Sequence, residues 1–223
     1  MEKVVSMANG FRFQSILDVG CGDGRFTKVF ASACHCNNIV GIDVSKRLAK
    51  RANSLFPAFV ATSDSGLPFR DEEFDGILCS ELIEHLFDPD RLLTEIFRVL
   101  ASDGVLFLTT PNLASWINRI CLLLGFQPHY SEVSLRHNVG KLYGGIAAKT
   151  SDTAIGGHLR LFVPRSLDSL LRIYGFQVVE RKGARIGYGG KSVLPFPISA
   201  VDRLFASRFS TSAFLIYVGR KRA

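Results

Sequence analysis

The most constraining stretch of the chain is Ile16-Leu17-Asp18-Val19-Gly20-Cys21-Gly22-Asp23-Gly24-Arg25-Phe26, in which an apolar strand runs into three glycines and then a helix. Glycines at such a junction allow a sharp turn and let a ligand lie against bare backbone. The helix start offers free N–H groups to an anionic or polar ligand. The surrounding sequence keeps one rhythm. Residues 15–19, 38–43, 58–62, 76–80 and 105–109 read as buried strands bounded by Gly, Asp or Ser. Helices are predicted near 25–34, 46–55 and 89–100, the last opened by Asp88-Pro89 and stopped before Asp103-Gly104. Strand, helix, strand in that order builds a parallel sheet with covering helices.

After Thr110-Pro111-Asn112 the rhythm breaks for about fifty residues, with glycine pairs at Gly144-Gly145 and Gly156-Gly157. Inserts of that length inside a compact domain are usually lids or binding elements. A helix over 164–174 and a strand over 176–182 follow, then a second loop over 187–211, a last strand over 213–219 and the basic tail Arg220-Lys221-Arg222. With 223 residues the chain is long enough for one sizeable domain and short for two. Both the insert at about 112–163 and the loop at about 187–211 are therefore assigned to a single domain over 1–223. No apolar run reaches the roughly 18 residues of a membrane span, and the first ten residues lack the apolar stretch of a secretory signal. Five irregularly spaced cysteines argue against a disulfide framework and for a reducing, cytoplasmic compartment.

Spacing decides which ligand the glycine turn takes. A dinucleotide fingerprint places its third glycine three residues after the second. Here that position is Arg25, and the third glycine comes one residue earlier, at Gly24. Asp43 closes the second strand 19 residues past Gly24, where a carboxylate can accept hydrogen bonds from both ribose hydroxyls. Downstream stand Ser63-Asp64-Ser65-Gly66-Leu67-Pro68-Phe69, Phe74-Asp75-Gly76-Ile77-Leu78-Cys79-Ser80-Glu81 and Leu82-Ile83-Glu84-His85-Leu86. Later come Glu95-Ile96-Phe97-Arg98-Val99-Leu100, Gly157-His158-Leu159-Arg160-Leu161-Phe162-Val163-Pro164 and Tyr174-Gly175-Phe176.

Together these segments resemble the class I S-adenosylmethionine-dependent methyltransferases of the type 11 and 23 subgroups, and in the Glu84-His85 pair the ubiquinone-pathway O-methyltransferases. The resemblance covers about 14–182 and the last strand. It implies a Rossmann-like α/β sheet of seven strands in the order 3-2-1-4-5-7-6, strand 7 antiparallel, with helices on both faces and a helical lid insert. It also implies S-adenosylmethionine as cofactor and S-adenosylhomocysteine as product. The cofactor contacts it assigns are Asp18, Gly20, Cys21, Gly22 and Gly24 in the first turn, and Asp43 and Val44 after the second strand. Ser80 and Glu81 follow the fourth strand. The family places an adenine-contacting acid four residues before the Leu of its Leu-Pro-Phe segment, and here that residue is Ser63. Asp64, one residue later, is assigned the side-chain contact and Ser65 a backbone one.

Methyl transfer from a sulfonium is an in-line displacement on an activated carbon, so positioning supplies most of the catalysis. A base helps when the acceptor is a hydroxyl or a protonated amine. His85, after the fourth strand, is the first candidate base, with packing against the cofactor or capping of the turn before Asp88 as its other role. His158 is the second candidate, with a structural bond between lid and sheet as its other role. His129 and His137 read as lid surface. Cys34-His35-Cys36 has adjacent rather than spaced ligands and reads as packing, so no metal site is expected.

Charge divides the chain. Residues 1–110 carry 11 Lys and Arg against 15 Asp and Glu, a net of −4, and residues 111–223 carry 16 against 5, a net of +11. A very apolar capped helix is predicted over 112–126, with Trp116 and Phe126 as candidate interface anchors, and a second amphipathic segment over 197–209. Closing the active site is the plainer role of the first helix. The basic half and the two apolar segments favour a small-molecule acceptor that is lipophilic or anionic, and peripheral contact with an anionic membrane at its inner face. An RNA or protein methyltransferase and a cofactor-binding scaffold without turnover are the alternatives. Nucleic acid is not expected as a partner, because the chain has no Asn-Pro-Pro-Tyr-like motif for amino-group methylation of bases.

Overall fold

The computed structural model describes residues 1–62, 66–134, 136–137, 139–142, 157–185, 187–188, 191–192, 198–205 and 208–222. Strands β1 (Ser15–Val19), β2 (Asn38–Asp43), β3 (Ala58–Val60), β4 (Phe74–Ser80), β5 (Leu100–Pro111), β6 (Phe176–Ala184) and β7 (Phe214–Lys221) form one seven-stranded sheet. Its order is 3-2-1-4-5-7-6. Strands β1 to β5 run parallel, and β7 is antiparallel to both β5 and β6, as the resemblance implies. The helices are α1 (Glu2–Ala8), α2 (Arg25–Ala33), α3 (Lys46–Ala52), α4 (Pro89–Val99), α5 (Trp116–Leu123), α6 (Pro164–Ile173) and α7 (Ile198–Phe205). Gly187–Tyr188 and Lys191–Ser192 pair as a separate two-stranded ribbon.

Successive side chains of a strand point to opposite faces, so the continuous apolar strands serve two cores. Leu17 and Val19 of β1 and Ile77 and Cys79 of β4 share one core with Leu92, Leu93 and Ile96 of α4 and Leu167 and Leu171 of α6. Ile16, Leu78 and Phe107 share the other with Phe30 and Ala31 of α2. Helix α4 starts where Asp88 accepts a hydrogen bond from Arg91 N and Pro89 occupies the first turn. Helix α1 escapes sequence reading. It has seven residues and no side-chain cap at Met1, and a helix that short has little stability alone. Burial of Val4, Met7 and Ala8 in the second core holds it.

The differences from the expected boundaries have local causes. Helix α3 stops at Ala52, and the Asn53 carboxamide oxygen takes Ala58 N at 3.1 Å to turn the chain into β3. Strand β5 begins directly at the end of α4 and bulges against β4, so Asp103-Gly104 lies within the strand rather than before it. The helix expected over 112–126 is confined to Trp116–Leu123, because Asn112 forms a parallel bridge with Phe162 and Ser115 is the residue that caps it. Among the described residues, no helix is long and apolar enough to cross a membrane.

Candidate active site

The sheet order reverses between β1 and β4, and the loops after β1, β2 and β4 meet at that crevice. Gly20 N and Cys21 N both donate to Ile42 O, at 2.8 and 2.9 Å, which pins the glycine loop to the end of β2. Gly24 has φ 80°, and a Cβ there would stand 2.9 Å from Phe56 Cε1 and 3.1 Å from Ala52 Cα, so packing alone demands glycine. Gly22 has φ 55°, and a Cβ there would meet nothing within 4 Å. Its backbone conformation favours glycine, and the space beside it is open to a ligand. The Cys21 thiol turns away from the crevice toward Gly41, whose missing Cβ would lie 2.8 Å from Sγ. Burial pushes that thiol up to about 12, so Cys21 offers the site only backbone.

Asp18 lies beneath the loop, 3% exposed, and accepts a hydrogen bond from Thr27 Oγ1 at 2.6 Å. Burial raises its carboxyl to about 7, the Asp43 charge adding to the shift and the Thr27 bond opposing it. Asp43 Oδ2 accepts Gly22 N at 2.9 Å and Oδ1 accepts Ser45 N at 2.8 Å. Each oxygen keeps a second lone pair for a ribose hydroxyl. Val44, beside it, is 75% exposed and offers an apolar face to a base. Ser63, Asp64 and Ser65 lie outside the described residues.

At the end of β4, Ser80 Oγ pairs with Thr109 Oγ1 at 2.9 Å, and Thr109 Oγ1 lies 2.7 Å from Glu81 Oε1. Glu81 takes φ 53°, a left-handed conformation that costs a non-glycine residue energy and clusters at functional sites. A 3₁₀ turn, Ile83–His85, follows. Leu82 packs over Gly20, within 3.2 Å of where its Cβ would be, and so joins this rim to the glycine loop.

Glu84, unassigned by sequence reading, is 1% exposed. Its Oε2 accepts Thr110 Oγ1 at 3.0 Å, and its backbone oxygen accepts Leu159 N and Arg160 N. Its Oε1 has no hydrogen-bond partner and faces His85 Nε2 at 3.9 Å. Burial raises the Glu84 carboxyl to about 8, with the Glu81 charge adding to it. The segment at 157–160 thereby brings His158 onto His85, with rings stacked 4.7 Å apart at 26°. Glu132 Oε2 accepts Gly157 N at 2.7 Å, and Oε1 faces His158 Nδ1 at 3.8 Å. Desolvation and the neighbouring His85 hold His158 below the usual imidazole range, against the pull of Glu132. Tyr130 packs edge-on against His158 at 5.4 Å. Donor atoms of Glu84, His85 and His158 lie within 4.8 Å of one another, and two histidines with one carboxylate form a donor set that suits divalent first-row metals.

The lid helix is wired into this rim. Asn112 Nδ2 donates to Ser212 O, Asn118 Nδ2 to Asn112 O, and Asn118 Oδ1 accepts His129 N. Trp116, expected as an interface anchor, is instead 8% exposed and donates Nε1–H to the buried Asp202 of α7 at 3.0 Å. Of the sequence candidates, the structure brings Gly20, Gly22, Gly24 and Asp43 together at one side of the crevice, and His85 with His158 at the other. Cys34 and Cys36 are buried and bond backbone oxygens at 2.9 and 3.3 Å, in keeping with packing.

The methyltransferase domain family matches residues 3–181. An uncharacterized protein of Methanocaldococcus jannaschii is 29% identical over 175 residues, covering 77% of this chain and 64% of its own. A ubiquinone biosynthesis O-methyltransferase of Haemophilus ducreyi is 32% identical over 120 residues, 49% of this chain and 50% of its own. The chain thus spans about a third to two thirds of the length of the curated relatives it matches. A solved S-adenosylmethionine-dependent methyltransferase of Thermotoga maritima shares the fold, with TM-score 0.63, 20% identity and coverage of 98% of this chain and 87% of its own. The glycine loop, the strand order and the family match agree: the chain belongs to the methyltransferase domain family, among the class I S-adenosylmethionine-dependent methyltransferases.

Proposed function

We propose that the chain transfers a methyl group from S-adenosylmethionine to a hydroxyl of a small-molecule acceptor that is lipophilic or anionic. The observation that carries this reading is the stacked His85–His158 pair beside the buried Glu84, on the rim that Leu82 joins to the glycine loop. The residues fit the cofactor, since the space at Gly22 is open, Asp43 keeps lone pairs for ribose and Val44 offers an apolar face. When bound, S-adenosylmethionine supplies a methyl already activated by its sulfonium. His85 would accept the acceptor's hydroxyl proton, leaving its oxygen to take the methyl that the cofactor would supply. Two stacked imidazoles disfavour a double positive charge, which helps to keep the pair able to accept a proton. Burial raises the Glu84 carboxyl beside it to about 8, which favours the neutral acid.

The lipophilic and anionic character of the acceptor is supported by the −4 and +11 halves and by the apolar residues of the lid helix. Peripheral contact with an anionic membrane belongs to the same reading. A screen of labelled methyl transfer with lipid extracts and soluble phenols as acceptors tests it. Label recovered as a methyl ether in a lipid fraction is the expected result. Label found only in RNA, in protein or on nitrogen would overturn it.

A further inference from the structure

The two inserts meet at a buried contact. Trp116 of α5 stacks on Phe205 of α7 with centroids 5.8 Å apart, and Asp202, fully buried, accepts from Trp116 Nε1 and from Arg185 Nε. The polar edge of the indole is thereby turned inward, and the C-terminal end of α5, with the residues just after it, is left outward. There Ile120, Leu122, Leu123, Leu124 and Phe126 are 42%, 58%, 84%, 58% and 38% exposed. The helix end that carries them is fixed. Phe126 N returns to Cys121 O at 2.7 Å and Gly125 N to Leu122 O at 3.1 Å, with Gly125 at φ 77°. Soluble monomers seldom leave five large apolar side chains so close together in water.

Among the described residues, the exposed charged side chains of the two inserts have one sign, and Arg119 stands on α5 itself. Among the described residues of the two inserts, the acids are Glu132, set against His158, and Asp202, buried under Trp116. Arg119, Arg136, Arg203 and Arg208 are exposed. A second copy of the chain would bring the same arginines against each other, and a nucleic acid would pair with them while leaving the leucines wet. A bilayer with anionic head groups satisfies both, taking apolar tips at its acyl boundary and arginines at its phosphates.

We propose that the α5–α7 platform docks on the surface of an anionic lipid bilayer through Leu122, Leu123, Leu124 and Phe126. Tyr130, four residues beyond Phe126, packs on His158, so a docked platform sets the histidine pair close to molecules held in that surface. Trp116 takes no part in the insertion and holds the two inserts together. The proposal deepens the reading of a lipophilic acceptor, but its test measures binding and leaves methyl transfer out.

The experiment is sedimentation of the full chain with vesicles of phosphatidylcholine alone and of phosphatidylcholine mixed with phosphatidylglycerol, at low and high salt. Binding is expected with the mixed vesicles only and to weaken with salt. The double variant Leu122→Glu, Leu123→Glu is expected to lose about tenfold or more in partition. Its affinity for S-adenosylhomocysteine, measured by calorimetry, should match wild type. Failure to sediment with either vesicle, or equal sedimentation with both, overturns the proposal. A concentration-dependent dimer that the double variant abolishes also overturns it, by giving the face to a second copy. Loss of S-adenosylhomocysteine binding in the wild type would count against the methyltransferase reading and not against the docking.

Discussion

Asp43 holds two backbone N–H groups at once, those of Gly22 and Ser45, so the carboxylate fixes the loop beside which, in the proposed function, it would receive the ribose. Asp43→Ala removes both tasks. Affinity for S-adenosylhomocysteine is expected to fall about tenfold to 150-fold, roughly 1.5–3 kcal/mol, and calorimetry checks it. An unchanged dissociation constant would place the ribose contact on another residue. His85→Ala should lower turnover by about 10²–10⁴ with cofactor affinity near wild type. A loss under about threefold would return His85 to the packing role. The positions of Gly22, Asp43 and His85 at the crevice are legible in the sequence because each is set by its own strand and the turn after it. Those of Glu84, Glu132 and Tyr130 are not. Glu84 neighbours His85 in the chain, but its burial is made by Thr110 of β5 and by the segment at 157–160, which no local spacing announces.

At the scale of elements, the joint between α5 and α7 turns on a buried carboxylate. Asp202 is buried and accepts from both Trp116 Nε1 and Arg185 Nε. Asp202→Ala takes the acceptor from the indole and one partner from the arginine, at a cost of about 1–3 kcal/mol. The urea midpoint should fall, while calorimetry shows S-adenosylhomocysteine binding retained, because the glycine loop lies on β1 and β2. A midpoint equal to wild type would mean that the inserts are held together by other contacts. Strands β1 and β2 begin and end where their apolar runs do, since both are interior to the sheet and buried on both faces. Helix α1 and the true start of α5 were hidden for the opposite reason. One is stabilised by burial against distant residues, and the other is delayed by a bridge from Asn112 to Phe162, fifty residues away.

For the whole molecule, the crevice gathers carboxyl groups that burial holds in their neutral form, and this links its stability to pH. Asp18 is raised from the ordinary 3.8 to about 7, chiefly by desolvation under the glycine loop. Between those values the folded chain keeps a proton that the unfolded chain has released. Binding that proton favours the folded state, so the contribution is complete below the unfolded value and is lost as pH rises through the folded one. Glu84, raised to about 8 by its own burial, acts with the same sign. Asp18→Asn keeps an oxygen to accept the Thr27 hydroxyl and cannot ionise. Relative to wild type, the variant should therefore gain stability steadily from about pH 4 to pH 7, with Glu84 still giving both proteins a residual slope. Urea midpoints across that range, taken without cofactor, measure the difference directly. Parallel profiles would mean that Asp18 is already ionised in the folded state, with its charge held by the loop rather than suppressed beneath it.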